Sequence, residues 1–126
     1  MPASLRPVDR PVNRAQEAIG EDGGMSGPVL EHAVFHIAPD DAAAFEEGFQ
    51  KARLVIGAAP GCRWVELHRG VERPEAYLLL VEWDTLDDHT GFRSSDAFPQ
   101  WRAPIQPFFA AGPEMEHFTS VVARTP

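Results

Sequence analysis

The chain has 126 residues, 44% of them hydrophobic and 10% aromatic, which suits one domain with a substantial core. A formal net charge of −8 argues against nucleic acid or an anionic membrane as the main partner, because polyanions reward basic patches. The single cysteine, Cys62, excludes an intrachain disulfide, a CxxC redox pair and zinc-finger spacing, and makes a cytoplasmic location the expectation.

Residues 1–27 mix Pro, Gly and both charge signs without periodicity, and GEDGGMSGP closes the stretch with breakers. A disordered tail is expected there, followed by one folded domain over 28–126. The tail has neither the apolar core of a secretory signal nor a membrane span, and Asp9, Glu17, Glu21 and Asp22 oppose a transit peptide. Met25, just ahead of the first strand, is an alternative start.

In VLEHAVFHIAP, Leu30, His32, Val34 and His36 alternate with Glu31, Ala33, Phe35 and Ile37, a strand with apolar residues on both faces. Pro39, Asp40 and Asp41 supply a turn and an N-cap. Ala42, Phe45, Phe49, Ala52 and Ile56 then recur at helical spacing up to Gly57. Pro60 and Gly61 turn the chain into a second strand, CRWVELHR. VERPE connects it to AYLLLVEW, whose near-continuous apolar run predicts a central strand.

Thr85 can cap the next helix, with Asp88 as its capping-box partner, and Ser94 or Ser95 can cap another. Phe98, Trp101, Ile105 and Phe108 give that later segment an apolar stripe that Pro104 and Pro107 interrupt. MEHFTSVV reads as the last strand. The order β-α-β-β-α-β predicts an α+β, ferredoxin-like fold with helices on one face of an antiparallel sheet. The other face then needs cover, and a homodimer pairing two sheets is the economical answer.

The segments EHAVFHIAPDDAAAFEEGF, APGCRWVELHR, YLLLVEWDTLDDHTGFRSSDAF and EHFTSV resemble the antibiotic biosynthesis monooxygenase family, the dimeric α+β barrels, over about residues 29–121. The landmarks are Pro60-Gly61-Cys62, Glu82-Trp83 with the acidic helix after it, and Ser95-Asp96-Ala97-Phe98. The resemblance implies a dimer with a pocket between sheet and helices in each subunit. It also implies oxygenation of phenols or quinols with O₂ and no cofactor, or, in relatives, haem degradation. Two departures stand out. The pocket asparagine of well-studied members falls near Ala33, while the only asparagine here is Asn13. In the haem-degrading relatives the helix tryptophan falls at Phe92 and the iron-ligating histidine at Arg102, which argues against haem.

His32 and His36 have Cα atoms roughly 13 Å apart at about 3.3 Å rise per residue, so they cannot chelate one metal. By the family register they face the dimer side, where they either complete the wall of a barrel or join Glu66, His68 or His117 in acid-base work. His89, on the helix bordering the family pocket, is the candidate general base; its other reading is an exposed histidine whose pKa Asp87 and Asp88 raise. Arg102 either stabilises a substrate anion or forms a surface ion pair. Phe35, Phe92, Trp101 and Trp83 are the candidate substrate contacts, and aromatic residues at such spacing, like Trp64 and Tyr77, also serve as core. Cys62 reads as structural.

The expectation is therefore a cofactor-independent monooxygenase of a small phenol or quinol, with His89 and Arg102 as catalytic residues and no metal. The rival is a dimeric barrel that binds a small hydrophobic ligand without turnover.

Overall fold

The computed structural model describes residues 27–126, so all but the last residue of the tail expected over 1–27, with the alternative start at Met25, lies outside the described residues. Four strands form one antiparallel sheet: β1 (Val29–His36), β2 (Cys62–Arg69), β3 (Ala76–Trp83) and β4 (Glu114–Phe118), in the order β2-β3-β1-β4. Three helices cover one face: α1 (Ala42–Gly57), α2 (Leu86–Arg93) and α3 (Ala97–Arg102). The α+β, ferredoxin-like order read from the sequence is the order found, with β3 and β1 as the central strands.

Alternation decides which side chains meet the helices. The odd-numbered residues of β1 and β3 are buried beneath the helices, and the even-numbered ones face away. On α1, Phe45, Phe49, Ala52 and Ile56 recur at three- and four-residue spacing and lie on that same core. Phe45 sits edge-on to Tyr77 and Phe35, and Phe49 edge-on to Trp101, which joins α1 to β3, β1 and α3.

The helix ends differ in detail from expectation. Residues Pro39–Asp41 form a 3-10 turn, and the Asp41 side chain makes no capping bond, because its own backbone is already helical rather than extended. Thr85 does cap α2, accepting from the Asp88 amide at 3.1 Å. The last strand stops at Phe118, opposite Leu30 near the start of β1: Val121 and Val122 lie past the end of β1, are exposed, and pair with no strand among the described residues. Gly61, at φ 86°, makes the tight turn into β2, and a Cβ there would run into the Asp88 carboxyl group. That contact seats the start of α2 against the sheet.

On the opposite face Leu30, Val34, Leu78 and Leu80 lie among His32, His36, Glu66 and Glu82, and no described element covers them. Among the described residues, no helix is long and apolar enough to cross a membrane.

Candidate active site

The helix-covered face carries one acidic side chain that periodicity places in the core. Glu31 is 4% exposed and accepts a hydrogen bond from Trp83 Nε1 at 3.0 Å. Its cross-strand partner on β4 is His117, so strand register alone sets the carboxylate and an imidazole side by side. The α2 helix lays His89 over them. The His89 ring stacks on Trp83, centroids 5.0 Å apart and planes 16° from parallel.

His89 uses both of its nitrogens. Nε2 lies 3.3 Å from Glu31 Oε1, and Nδ1 lies 2.7 Å from His117 Nε2. His117 Nδ1 is buried and has no partner among the described residues.

Burial governs the charges. It pushes the Glu31 carboxyl up to about 7, against the opposing pull of the Trp83 hydrogen bond and the Arg93 charge. It pushes His89 down to about 3, helped by His117 and Arg93, and His117 down to about 4, helped by Arg93. Both imidazoles are therefore neutral near neutral pH, and the 3.3 Å Glu31–His89 contact is not an ion pair. The expected alternative for His89, an exposed ring with a pKa raised by Asp87 and Asp88, is overturned: the ring is 3% exposed, and desolvation disfavours its cation.

Glu31 and His89 open onto a cavity of about 250 Å³ between sheet and helices. Ala33, Phe35 and Leu79 form its sheet side, Phe92, Phe98 and Trp101 its helix side, and Arg93 and Arg102 lie among its lining. A wider groove of about 590 Å³ lies between the end of α1 and helices α2 and α3, bordered by Asp87 and Asp88. It holds no buried acid-base group, so the smaller cavity is the candidate site.

Of the residues anticipated from sequence, His89, Phe35, Phe92, Trp101 and Arg102 line this cavity. Trp83 does not: it is wholly buried, and it holds Glu31 and His89 from behind. Arg102 forms no salt bridge among the described residues and lies over the Phe98 ring at 5.7 Å. His32 and His36 are on the opposite face, where His32 meets Phe118 edge-on and His36 lies 3.7 Å from Glu114. His68 pairs there with Glu66 at 3.0 Å. The grouping of His117 with His32 and His36 is corrected, because the β1–β4 register turns His117 toward the helices.

Tyr77 donates its hydroxyl hydrogen to Glu46 at 2.6 Å, and burial pushes the Cys62 thiol up to about 11, as a structural cysteine would have it. Among the described residues no group of three His, Cys, Asp or Glu side chains is arranged to hold a metal ion. Sequence reading passed over Glu31 and Arg93 and set His117 on the opposite face. The signal for Glu31 was present: a carboxylate in the same two-residue alternation as Ala33, Phe35 and Ile37 must be buried if they are.

Residues 28–104 match the family model described as antibiotic biosynthesis monooxygenase. The uncharacterised protein YczJ of Bacillus subtilis (strain 168) is 39% identical over 94 residues, 74% of this chain and 99% of that protein. A Bordetella bronchiseptica structure, provisionally named an antibiotic biosynthesis monooxygenase, superposes with a TM-score of 0.73 at 38% identity, covering 76% of this chain and 99% of that one. SnoaB of Streptomyces nogalater, named as a cofactor-independent oxygenase, shares the fold at a TM-score of 0.66 and 18% identity, covering 76% and 95%.

Proposed function

The chain belongs to the antibiotic biosynthesis monooxygenase family, and from that membership we propose that it is a cofactor-independent monooxygenase of a small phenol or quinol. One observation carries the phenolic reading: a buried carboxyl group with a pKa of about 7 opens into an aromatic-walled cavity. At about 250 Å³ the cavity lies just under the roughly 300–1,000 Å³ of drug-sized sites, so it suits one or two fused rings.

In this reading the base is Glu31, held by Trp83 and His89, rather than His89 acting alone. The phenolic O–H breaks and its proton passes to the Glu31 carboxylate. An ordinary phenol has a pKa of about 10. Transfer to a group near 7 is thus uphill; consumption of the phenolate by O₂ draws it forward, and the positive field of Arg93 and Arg102 across the cavity lowers the phenol's own pKa without either guanidinium binding the oxygen.

The phenolate gives one electron to O₂, and the resulting pair combines at a ring carbon. Glu31 returns its proton to the peroxide; the ring C–H proton and hydroxide then leave as water. Phenol plus O₂ becomes quinone plus water, with all four electrons supplied by the substrate. Phe35, Phe92 and Trp101 hold the ring and exclude water. The protein works as a homodimer joined through the uncovered sheet face.

The test is oxygen uptake by metal-stripped, dialysed protein against hydroquinones and naphthols, with Glu31→Gln and His89→Ala beside the parent. Uptake above the spontaneous rate that collapses in Glu31→Gln is the expected result. Ligand binding with no uptake for any phenol would favour the rival reading, a barrel that binds without turnover. Haem degradation is disfavoured because His89 is buried, with Nδ1 bonded to His117 and Nε2 against Glu31, and because Arg102 stands where the haem-degrading relatives carry their iron-ligating histidine.

A further inference from the structure

Arg93 and Arg102 end consecutive helices, and the short turn between α2 and α3 brings both into the lining of one cavity. A basic residue in a last helical turn complements the helix dipole, which explains its place on the helix but not its place at a cavity. Among the described residues Arg63 pairs with Asp84 and Glu82 and Arg69 with Glu46, while Arg53, Arg73 and Arg124 form no salt bridge and, unlike Arg93 and Arg102, line no part of this cavity. Neither Arg93 nor Arg102 has a carboxylate partner among the described residues.

The only acid in the cavity lining is Glu31, which is buried in the sheet and bonded to Trp83. The lining therefore carries two permanent cations against at most one anion, within a chain of net charge −8. A neutral phenol leaves that excess unanswered. A guanidinium presents planar, forked donors that match a carboxylate, and the half-buried Arg102 is the less solvated of the two.

We propose that the substrate is a hydroxylated aromatic acid, of the hydroxybenzoate or hydroxynaphthoate class, whose carboxylate is held by Arg93 and Arg102 while its hydroxyl faces Glu31. The ring lies between Phe92 and Trp101, and the two polar ends fix which ring position is presented. The fate of the hydroxyl rests on the monooxygenase reading; the carboxylate subsite does not.

The test is calorimetric titration with 6-hydroxy-2-naphthoate and 2-naphthol, the same bicyclic ring with and without a carboxylate, with oxygen uptake followed separately. The acid binds at least about ten-fold more tightly than the naphthol, the scale of one charge-assisted pair. Added salt erodes that ratio in the unmodified protein, a readout that requires no folded variant. Arg102→Gln and Arg93→Gln each lower the ratio, and the double variant brings it near one.

A ratio near one in the unmodified protein, a ratio that survives in the folded double variant, or no binding of either ligand overturns the subsite. Preferred binding of the acid without oxygen uptake keeps the subsite and removes the oxygenase. Uptake with 2-naphthol but no preference for the acid does the reverse.

Discussion

His89 Nδ1 lies 2.7 Å from His117 Nε2 while the other nitrogen of the same ring faces Glu31 Oε1 at 3.3 Å, so the hydrogen on one ring dictates the hydrogen on the next. With Glu31 ionised, its charge favours a hydrogen on His89 Nε2, which leaves Nδ1 to accept from His117 Nε2. With Glu31 protonated and donating to His89, both rings carry their hydrogen on Nδ1. Nitrogen NMR of histidine-labelled protein should show both tautomers exchanging together near pH 7, the Glu31 midpoint. The Glu31→Gln variant should show no exchange there. Rings that switch separately, or that become imidazolium near pH 6.5, would contradict the coupling.

Stability should fall in acid, and the sign follows from the three buried groups. His89 and His117 have folded pKa values of about 3 and about 4 against an ordinary 6.5. Below 6.5 the unfolded chain binds two protons that the folded one refuses, so their stabilising contribution is lost as pH falls toward 4. Glu31 acts oppositely: its folded value of about 7 exceeds its ordinary 4.5, so folding takes up a proton between those limits and stability drops as pH rises through them. Two protons outweigh one. Thermal melts of the unmodified protein should show a lower Tm at pH 5 than at pH 6.5, with a steeper acid dependence in Glu31→Gln and a reversed one in a His89→Gln, His117→Gln double variant, where Glu31 alone remains. A Tm that rises on acidification would refute this balance.

Trp83→Phe separates positioning from packing. The substitution keeps an aromatic ring behind His89 but deletes the Nε1–H that Glu31 accepts, leaving a buried carboxyl oxygen without that partner. The cost should be roughly 1–3 kcal/mol by denaturant titration. Because the Trp83 bond holds the Glu31 pKa down, the Glu31 midpoint should move above 7, measured by carbon NMR of its carboxyl group. A variant destabilised with no change in that midpoint would make Trp83 core alone.

The sheet and the helix carrying Phe45 and Phe49 were legible because two-residue and near-four-residue periods are local. The site was legible in part: His89, Phe92, Trp101 and Arg102 fall on the segment after β3, where candidate contacts were sought. What a linear reading could not supply was register. His117 lies 86 residues after Glu31, and only the pairing of β4 with β1 shows that the two share a face. The same gap explains why His32 and His36, on the same strand as Glu31, stand out in the sequence although they face away from the cavity. Arg93 was missed because a cation in a last helical turn ordinarily needs no further explanation.

The uncovered sheet face gives the last prediction, that the protein is a homodimer joined there. Leu78 and Leu80 stand on the central strand β3, opposite Val34 and His32 on β1 and opposite His68 and Glu66 on β2. They are thus ringed by side chains rather than at an edge. An apolar patch in the middle of a sheet stays in water only at a cost of about 25 cal/mol per Å², which pairing with a second copy removes. Leu80→Asp adds a carboxylate beside Glu66, and two such sites meet across the two-fold axis. Sedimentation velocity should find a dimer for the unmodified protein and a folded monomer for Leu80→Asp, whose cavity lies on the other face of the sheet and should keep its ligand affinity. An unmodified protein that sediments as a monomer at every concentration would refute the interface.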